Sequence, residues 1–203
     1  MFSCTGGCGT VFKITPSGTL TALHSFAGYP TDGSEPLAGL VQATDGNLYG
    51  TTYSGGPNDE GTVFEITPTG GLTTLYAFCP QSGCADGSNP LAALVQDTNG
   101  TLYGTTLLGG ANGDGTLFSL SVGLGPFVEM QPISGKVGAA VKILGTNLTG
   151  ATSVSFNGTA ATFTVVSSSF IKTTVPAGAT TGTVQVVTPS GTLLSNVPFR
   201  VLP

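Results

Sequence analysis

The chain has 203 residues, of which 39% are apolar and only 7% charged, and its formal charge is −5 at neutral pH. An ordinary globular domain carries about 25% charged residues, and here the few charges are split: residues 1–125 hold nine acids and Lys13, whereas residues 126–203 hold Glu129 against Lys136, Lys142, Lys172 and Arg200. Neither half concentrates the cations that phosphate-backbone binding needs, so nucleic acid is excluded as a partner, and no apolar run reaches the ~18 residues of a membrane span.

The first ten residues, MFSCTGGCGT, lack the basic and apolar regions of a signal peptide. Cys4 and Cys8 bracket a Gly-Gly turn there, and a disulfide between them is expected. Alternation of Val11, Phe12, Lys13 and Ile14, then of Leu20 to Phe26, predicts two strands joined by the turn Thr15-Pro16-Ser17-Gly18. Short strands follow at Leu40–Ala43 and Leu48–Thr52, with Asp45-Gly46 supplying the positive φ angles of a tight hairpin.

The same text then recurs. GTVFKITPSGTLTALHSF (9–26) returns as GTVFEITPTGGLTTLYAF (61–78), DGSEPLAGLVQ (32–42) as DGSNPLAALVQ (86–96), and ATDGNLYGTTYSGG (43–56) as DTNGTLYGTTLLGG (97–110). A third copy opens at GTLFSL (115–120) and stops. About four strands in each period of about 50 residues is the arithmetic of a β-propeller blade.

These phrases resemble the Gloeo/Verruco (GloVer) repeat, over roughly residues 5–120. The resemblance implies tandem arrays in exported bacterial proteins, at the cell surface or secreted. Because Gly9 opens a unit, Met1 is expected to lie inside an array, as the start of a C-terminal piece of a longer protein; closure of a ring by association is the alternative. The first reading also explains the missing signal peptide.

Where the second copy is two residues longer than the first, AFCPQSGCADG replaces SFAGYPTDG. Cys79 and Cys84 bracket that insertion, and a short loop disulfide is the expected reading, which implies an oxidising compartment. A four-thiolate zinc site and free thiols are the alternatives, the cysteine spacings being loose for zinc.

SVGLGPF (121–127) has the Gly/Pro content of a linker, assigned to 121–126. Beyond it, strands near 139–144, 152–156, 160–166, 170–174, 182–187 and 198–201, separated by regular turns, predict a β-sandwich. VKILGTNL (141–148), VSFNG (154–158), TVPAGATTG (174–182) and VQVVTPSG (184–191) resemble an IPT/TIG domain, and the resemblance implies an immunoglobulin-like fold and a non-catalytic module. The expected architecture is therefore all-β: propeller-type four-stranded repeat units over 1–120, then an immunoglobulin-like β-sandwich over 127–203.

The chemistry-bearing residues are few. His24 has Tyr76 as its counterpart, so that position accepts any large side chain with a polar tip. Asp32 and Asp86 recur, which fits a structural turn better than a unique active site. PNDEG (57–61) and ANGDG (111–115) gather oxygen ligands without the ordered spacing of a dedicated calcium loop. No catalytic residues, metal site or cofactor are assigned. Tyr49, Tyr103, Tyr29 and Tyr53 are the candidate ligand-contact side chains in a chain without tryptophan, with Tyr49 and Tyr103 also read as packing residues. The expected function is a non-enzymatic extracellular bacterial module for adhesion, display or contact with a polysaccharide or another surface protein. The alternatives are an accessory part of a carbohydrate-active enzyme, with the catalytic domain upstream, and a structural spacer.

Overall fold

The computed structural model describes residues 7–203, which are all strand, turn and loop. The chain divides into two compact units. One runs to Gln96 and resumes over Thr101–Val122; the other takes Asp97–Gly100 and Gly123–Pro203.

The strands of the first unit are β1 (Thr10–Ile14), β2 (Leu20–Ser25), β3 (Gly33–Ser34), β4 (Val41–Gln42), β5 (Leu48–Thr52), β6 (Ser54–Gly55), β7 (Thr62–Ile66), β8 (Leu72–Ala77), β9 (Ser88–Pro90), β10 (Val95–Gln96), β11 (Leu102–Leu108) and β12 (Leu117–Leu120). They do not group by sequence repeat. The four-stranded sheet runs β4-β5-β7-β8, so its first two strands belong to the first copy of the text and its last two to the second. The next sheet, β10-β11-β12, joins the second copy to the third in the same way, with β9 paired to the far end of β11. At the start of the unit β1 and β2 pair only with each other among the described residues.

Glycine decides why the sheets form across the repeat boundary. Gly50 on β5 stands directly opposite Phe64 on β7, and the phenylalanine ring lies over the bare glycine backbone. A Cβ at Gly50 would come within 2.5 Å of Leu40 Cδ2 and 2.7 Å of Phe64 Cζ, so only glycine lets the three segments close. The arrangement recurs, with Gly104 opposite Phe118 and Leu94 beside them. Phe64 and Ile66 are fully covered (0% exposed), whereas their counterparts Phe12 and Ile14 on β1 are 56% and 62% exposed. Full burial of such a side chain stabilises by about 1.5–3 kcal/mol. The same sequence phrase thus makes a buried strand or an exposed one, depending on whether a glycine strand lies beside it.

The hairpin expectation at Asp45-Gly46 holds only for the glycine. Gly46 has φ +85°, while Asp45 stays out of the left-handed region. Gly46 N donates to Ala43 O and Ala43 N to Asn47 O, so the loop is a longer turn closed by one left-handed glycine. The Thr15–Gly18 turn is built alike.

The second unit contains β13 (Val128–Gln131), β14 (Ser134–Gly135), β15 (Ala140–Gly145), β16 (Ser153–Phe156), β17 (Thr159–Ala160), β18 (Phe163–Ser167), β19 (Phe170–Thr174), β20 (Val184–Thr188), β21 (Gly191–Leu194) and β22 (Arg200–Val201). Two four-stranded sheets, β13-β15-β19-β18 and β17-β16-β20-β21, share one core. Alternate residues of each strand face inward, among them Met130, Val141, Ile143 and Ile171 from one sheet and Val154, Phe156, Val184 and Val186 from the other. Phe156 meets Phe199 edge to face at 5.1 Å. β13 and β21 were not anticipated: four residues between Gly/Pro-rich segments hold too little alternation to read as strands.

All five tyrosines lie in the first unit, so their fluorescence follows its unfolding. Phe64→Ala is expected to destabilise that unit by about 3–5 kcal/mol and Phe12→Ala by no more than about 0.5 kcal/mol, as read from urea unfolding.

Candidate functional site

The polar side chains of the first unit gather where one repeat meets the next. β2 carries His24 near its end and Phe26 follows directly after it; the Phe26 ring packs edge to face against His24 at 5.0 Å and against Phe64 at 5.3 Å. Beneath them Asp32 is buried. Its Oδ1 accepts from the backbone N–H groups of Ala27 (2.7 Å) and Gly28 (2.9 Å), and its Oδ2 lies 2.8 Å from His24 Nε2. A carboxylate oxygen only accepts, so Nε2 carries the proton. The second repeat rebuilds this station with a phenol: Tyr76 Oη donates to Asp86 Oδ2 at 2.8 Å, Cys79 N donates to the same oxygen at 3.1 Å, and the rings of Tyr76, Phe78 and Phe118 follow in order. His24 and Tyr76 are interchangeable because each offers one ring and one donor.

A second fastening lies between the Gly-Thr-Thr strand and the next Gly-Thr strand. Thr52 Oγ1 and Thr62 Oγ1 are 2.8 Å apart, and Thr106 Oγ1 and Thr116 Oγ1 are 2.9 Å apart. Thr52 Oγ1 also accepts from Thr62 N, and Thr106 Oγ1 from Thr116 N. These side chains are engaged in joining strands, and among the described residues no buried side-chain polar atom lacks a partner.

A cavity of about 180 Å³ opens beside the second station, lined by Val63, Tyr76, Phe78, Asp86, Phe118 and Leu120 among others. Around the first station Leu23, Leu48 and Leu72 pack against Val11, Phe26, Phe64 and Ile66. Leu72 comes from β8, the fourth strand of its sheet, and the sheet ending in β12 has no strand in that position.

The four candidate tyrosines occupy different surroundings. Tyr49 is buried, 2% exposed, and its hydroxyl donates to Asp45 Oδ2 at 2.9 Å. It is a packing residue and offers no face to a ligand. Tyr103 stands at the equivalent place at 36% exposure, with Ser119 opposite it where Glu65 stands opposite Tyr49. Tyr29 (44% exposed) lies in the loop after β2, and Tyr53 is half-buried between β5 and β6. None of the ring-to-ring contacts among the described residues joins two of these tyrosines.

The cysteines of the inserted loop are bridged: Cys79 and Cys84 form a disulfide. Cys8 is buried and disulfide-bonded; Cys4, its expected partner, lies outside the described residues. No three metal-ligating side chains converge among the described residues. In the PNDEG loop, Asp59 Oδ1 accepts from Gly55 N at 3.2 Å.

The second unit holds a groove that sequence reasoning missed. It is an open depression of about 570 Å³ on the outer face of β13-β15-β19-β18, bordered by Gln131, Lys142, Thr164, Lys172 and Thr174. Lys142 and Lys172 face each other across β15 and β19. The available signal was strand alternation, which puts both lysines on the face opposite Ile143 and Ile171.

Burial is the main cause that raises the Tyr49 phenol well above its ordinary value, and the hydrogen bond to Asp45 and the charges of Asp45 and Glu65 add to it. The Tyr76 phenol moves the same way through burial, then Asp86. Folded chains therefore keep protons that an unfolded tyrosine loses near pH ~10. The stability these phenols contribute is complete below that pH and falls as pH rises above it. Urea midpoints measured on either side of pH ~10 are expected to show this loss, and Tyr49→Phe is expected to reduce it. Adding reductant is expected to lower the melting temperature of the first unit, since a bridge across so short a loop contributes about 2 kcal/mol.

A model of the Gloeobacter/Verrucomicrobia repeat matches residues 1–182. Among solved structures the chain is similar to the gamma-CGTase from alkalophilic Bacillus clarkii, at 18% identity and a TM-score of 0.34. That match covers 77% of this chain and 24% of the other. No curated protein sequence matches the chain.

Proposed function

The chain belongs to the Gloeobacter/Verrucomicrobia repeat family, and from that premise we propose that it is a non-catalytic extracellular bacterial module for adhesion, display or contact with a glycan or another surface protein. One observation carries this reading: the polar side chains that recur with the repeat are engaged in holding turns within a repeat and in joining the strands of successive repeats. Asp32 and Asp86 tie down ring donors and turn backbone, and the threonine pairs join adjacent strands. A side chain held in this way supports a surface, and the surface is left to vary in its loops.

In this reading the first unit is an array of propeller-type blades, supported by a four-stranded antiparallel sheet that is completed by strands from successive repeats. The second unit is an IPT/TIG domain of immunoglobulin-like type, supported by two antiparallel sheets over one shared core. The Cys79–Cys84 bridge supports an oxidising compartment. Tyr29 and Tyr103, the exposed members of the tyrosine set, are the contact side chains that remain.

The purified chain is expected to be retained on insoluble bacterial or plant polysaccharide, or on whole bacterial cells, without releasing soluble sugar. Co-sedimentation together with a reducing-sugar assay reads both. Release of sugar would overturn the non-catalytic reading, and absence of retention on every surface would overturn the contact reading.

A further inference from the structure

We infer that the edge of β1 away from β2, which no strand pairs among the described residues, is a docking site for a Leu-Tyr-Gly-Thr-Thr strand from a further repeat of the same family. The chain contains this junction twice in completed form. In one, Leu48, Tyr49, Gly50, Thr51 and Thr52 of β5 stand opposite Ile66, Glu65, Phe64, Val63 and Thr62 of β7. In the other, Gly104 of β11 stands opposite Phe118 of β12. β1 carries the same phrase as β7, and β2 flanks it as β8 flanks β7. On its other edge no strand pairs with it among the described residues.

The side chains agree with the backbone. Phe64 and Ile66 are sealed under the glycine strand, while Phe12 and Ile14 are more than half exposed. Thr62 and Thr116 each meet a threonine hydroxyl of the partner strand, and Thr10 holds the corresponding place on β1. By this register a docked strand would put its glycine opposite Phe12 and its second threonine opposite Thr10. Specificity resides in the glycine, because any Cβ at that place would strike the ring. An unpaired strand edge supplies backbone donors and acceptors to any extended segment, and the phenylalanine restricts entry to one that is bare at its centre.

A second copy of this chain is not the occupant. Its two Gly-Thr-Thr strands are already flanked on both sides, β5 by β4 and β7, and β11 by β10 and β12. Lending one would dismantle a completed sheet.

The test uses the intact 203-residue chain and a fluorescently labelled synthetic peptide of residues 45–56, DGNLYGTTYSGG. Fluorescence anisotropy measures binding, and hydrogen exchange locates it. The expected result is saturable binding with protection confined to Thr10–Ile14. Gly50→Val in the peptide should weaken binding by at least about tenfold, a change of about 1.4 kcal/mol, and Phe12→Ala in the chain should weaken it similarly. Because Phe12 is exposed, that variant remains folded, which its tyrosine-monitored urea curve verifies. Absence of saturable binding, equal binding of the Gly50→Val peptide, or protection elsewhere would overturn the inference. Self-association of the chain that protects β1 without peptide would also overturn it, by making a second copy the occupant.

Discussion

The first unit depends on one contact: a phenylalanine ring laid across a glycine on the neighbouring strand. Gly50 with Phe64 and Gly104 with Phe118 set the distance between strands, and Leu40 and Leu94 close over the same spot. Because the two partners come from successive copies of the repeat, this contact also sews the copies together. A sheet cannot be completed inside one repeat, and each repeat is therefore stable only through its neighbours, as expected of a quasi-one-dimensional array. The exposed face of β1 follows the same rule, since no strand pairs with its outer edge among the described residues.

Polar groups follow the same logic. A carboxylate withdrawn from water is costly unless hydrogen bonds satisfy it, and the buried Asp32 and the half-buried Asp86 are satisfied by ring donors and loop N–H groups. The threonine pairs join strands of successive repeats. The residues that look most like chemistry in the sequence thus hold turns and strands in place. Variation is concentrated in the loops, where the second copy accommodates two extra residues and a disulfide without disturbing the Tyr76–Asp86 station.

The second unit is built on the opposite principle. Its two sheets close over a single core from Val128 to Phe199, so its strands are satisfied within itself. Its outer face presents Lys142 and Lys172 side by side, while the acids are gathered in the repeats. The contrast in charge seen in the sequence coincides with a contrast in how the two parts are held together.

Much of this was legible in the chain. The repeat, the all-β class, the turn after residue 14, the bridged loop at Cys79 and Cys84 and the structural role of Asp32 and Asp86 all follow from local spacing, which any short segment carries in itself. Tyr49 was less legible, since alternation gives the same expectation for Tyr49 and Tyr103. Their exposures differ, 2% against 36%, and Tyr49 also has Glu65 of another strand opposite it where Tyr103 has Ser119. Amino-acid order by itself determined which segments become strands and that each phrase would be used more than once. Only the tertiary structure decided which phrases share a sheet, and hence that Phe64 is buried and Phe12 is not. The physical reason is that burial belongs to a pair of strands, and a strand's own residues do not state whether its partner is present.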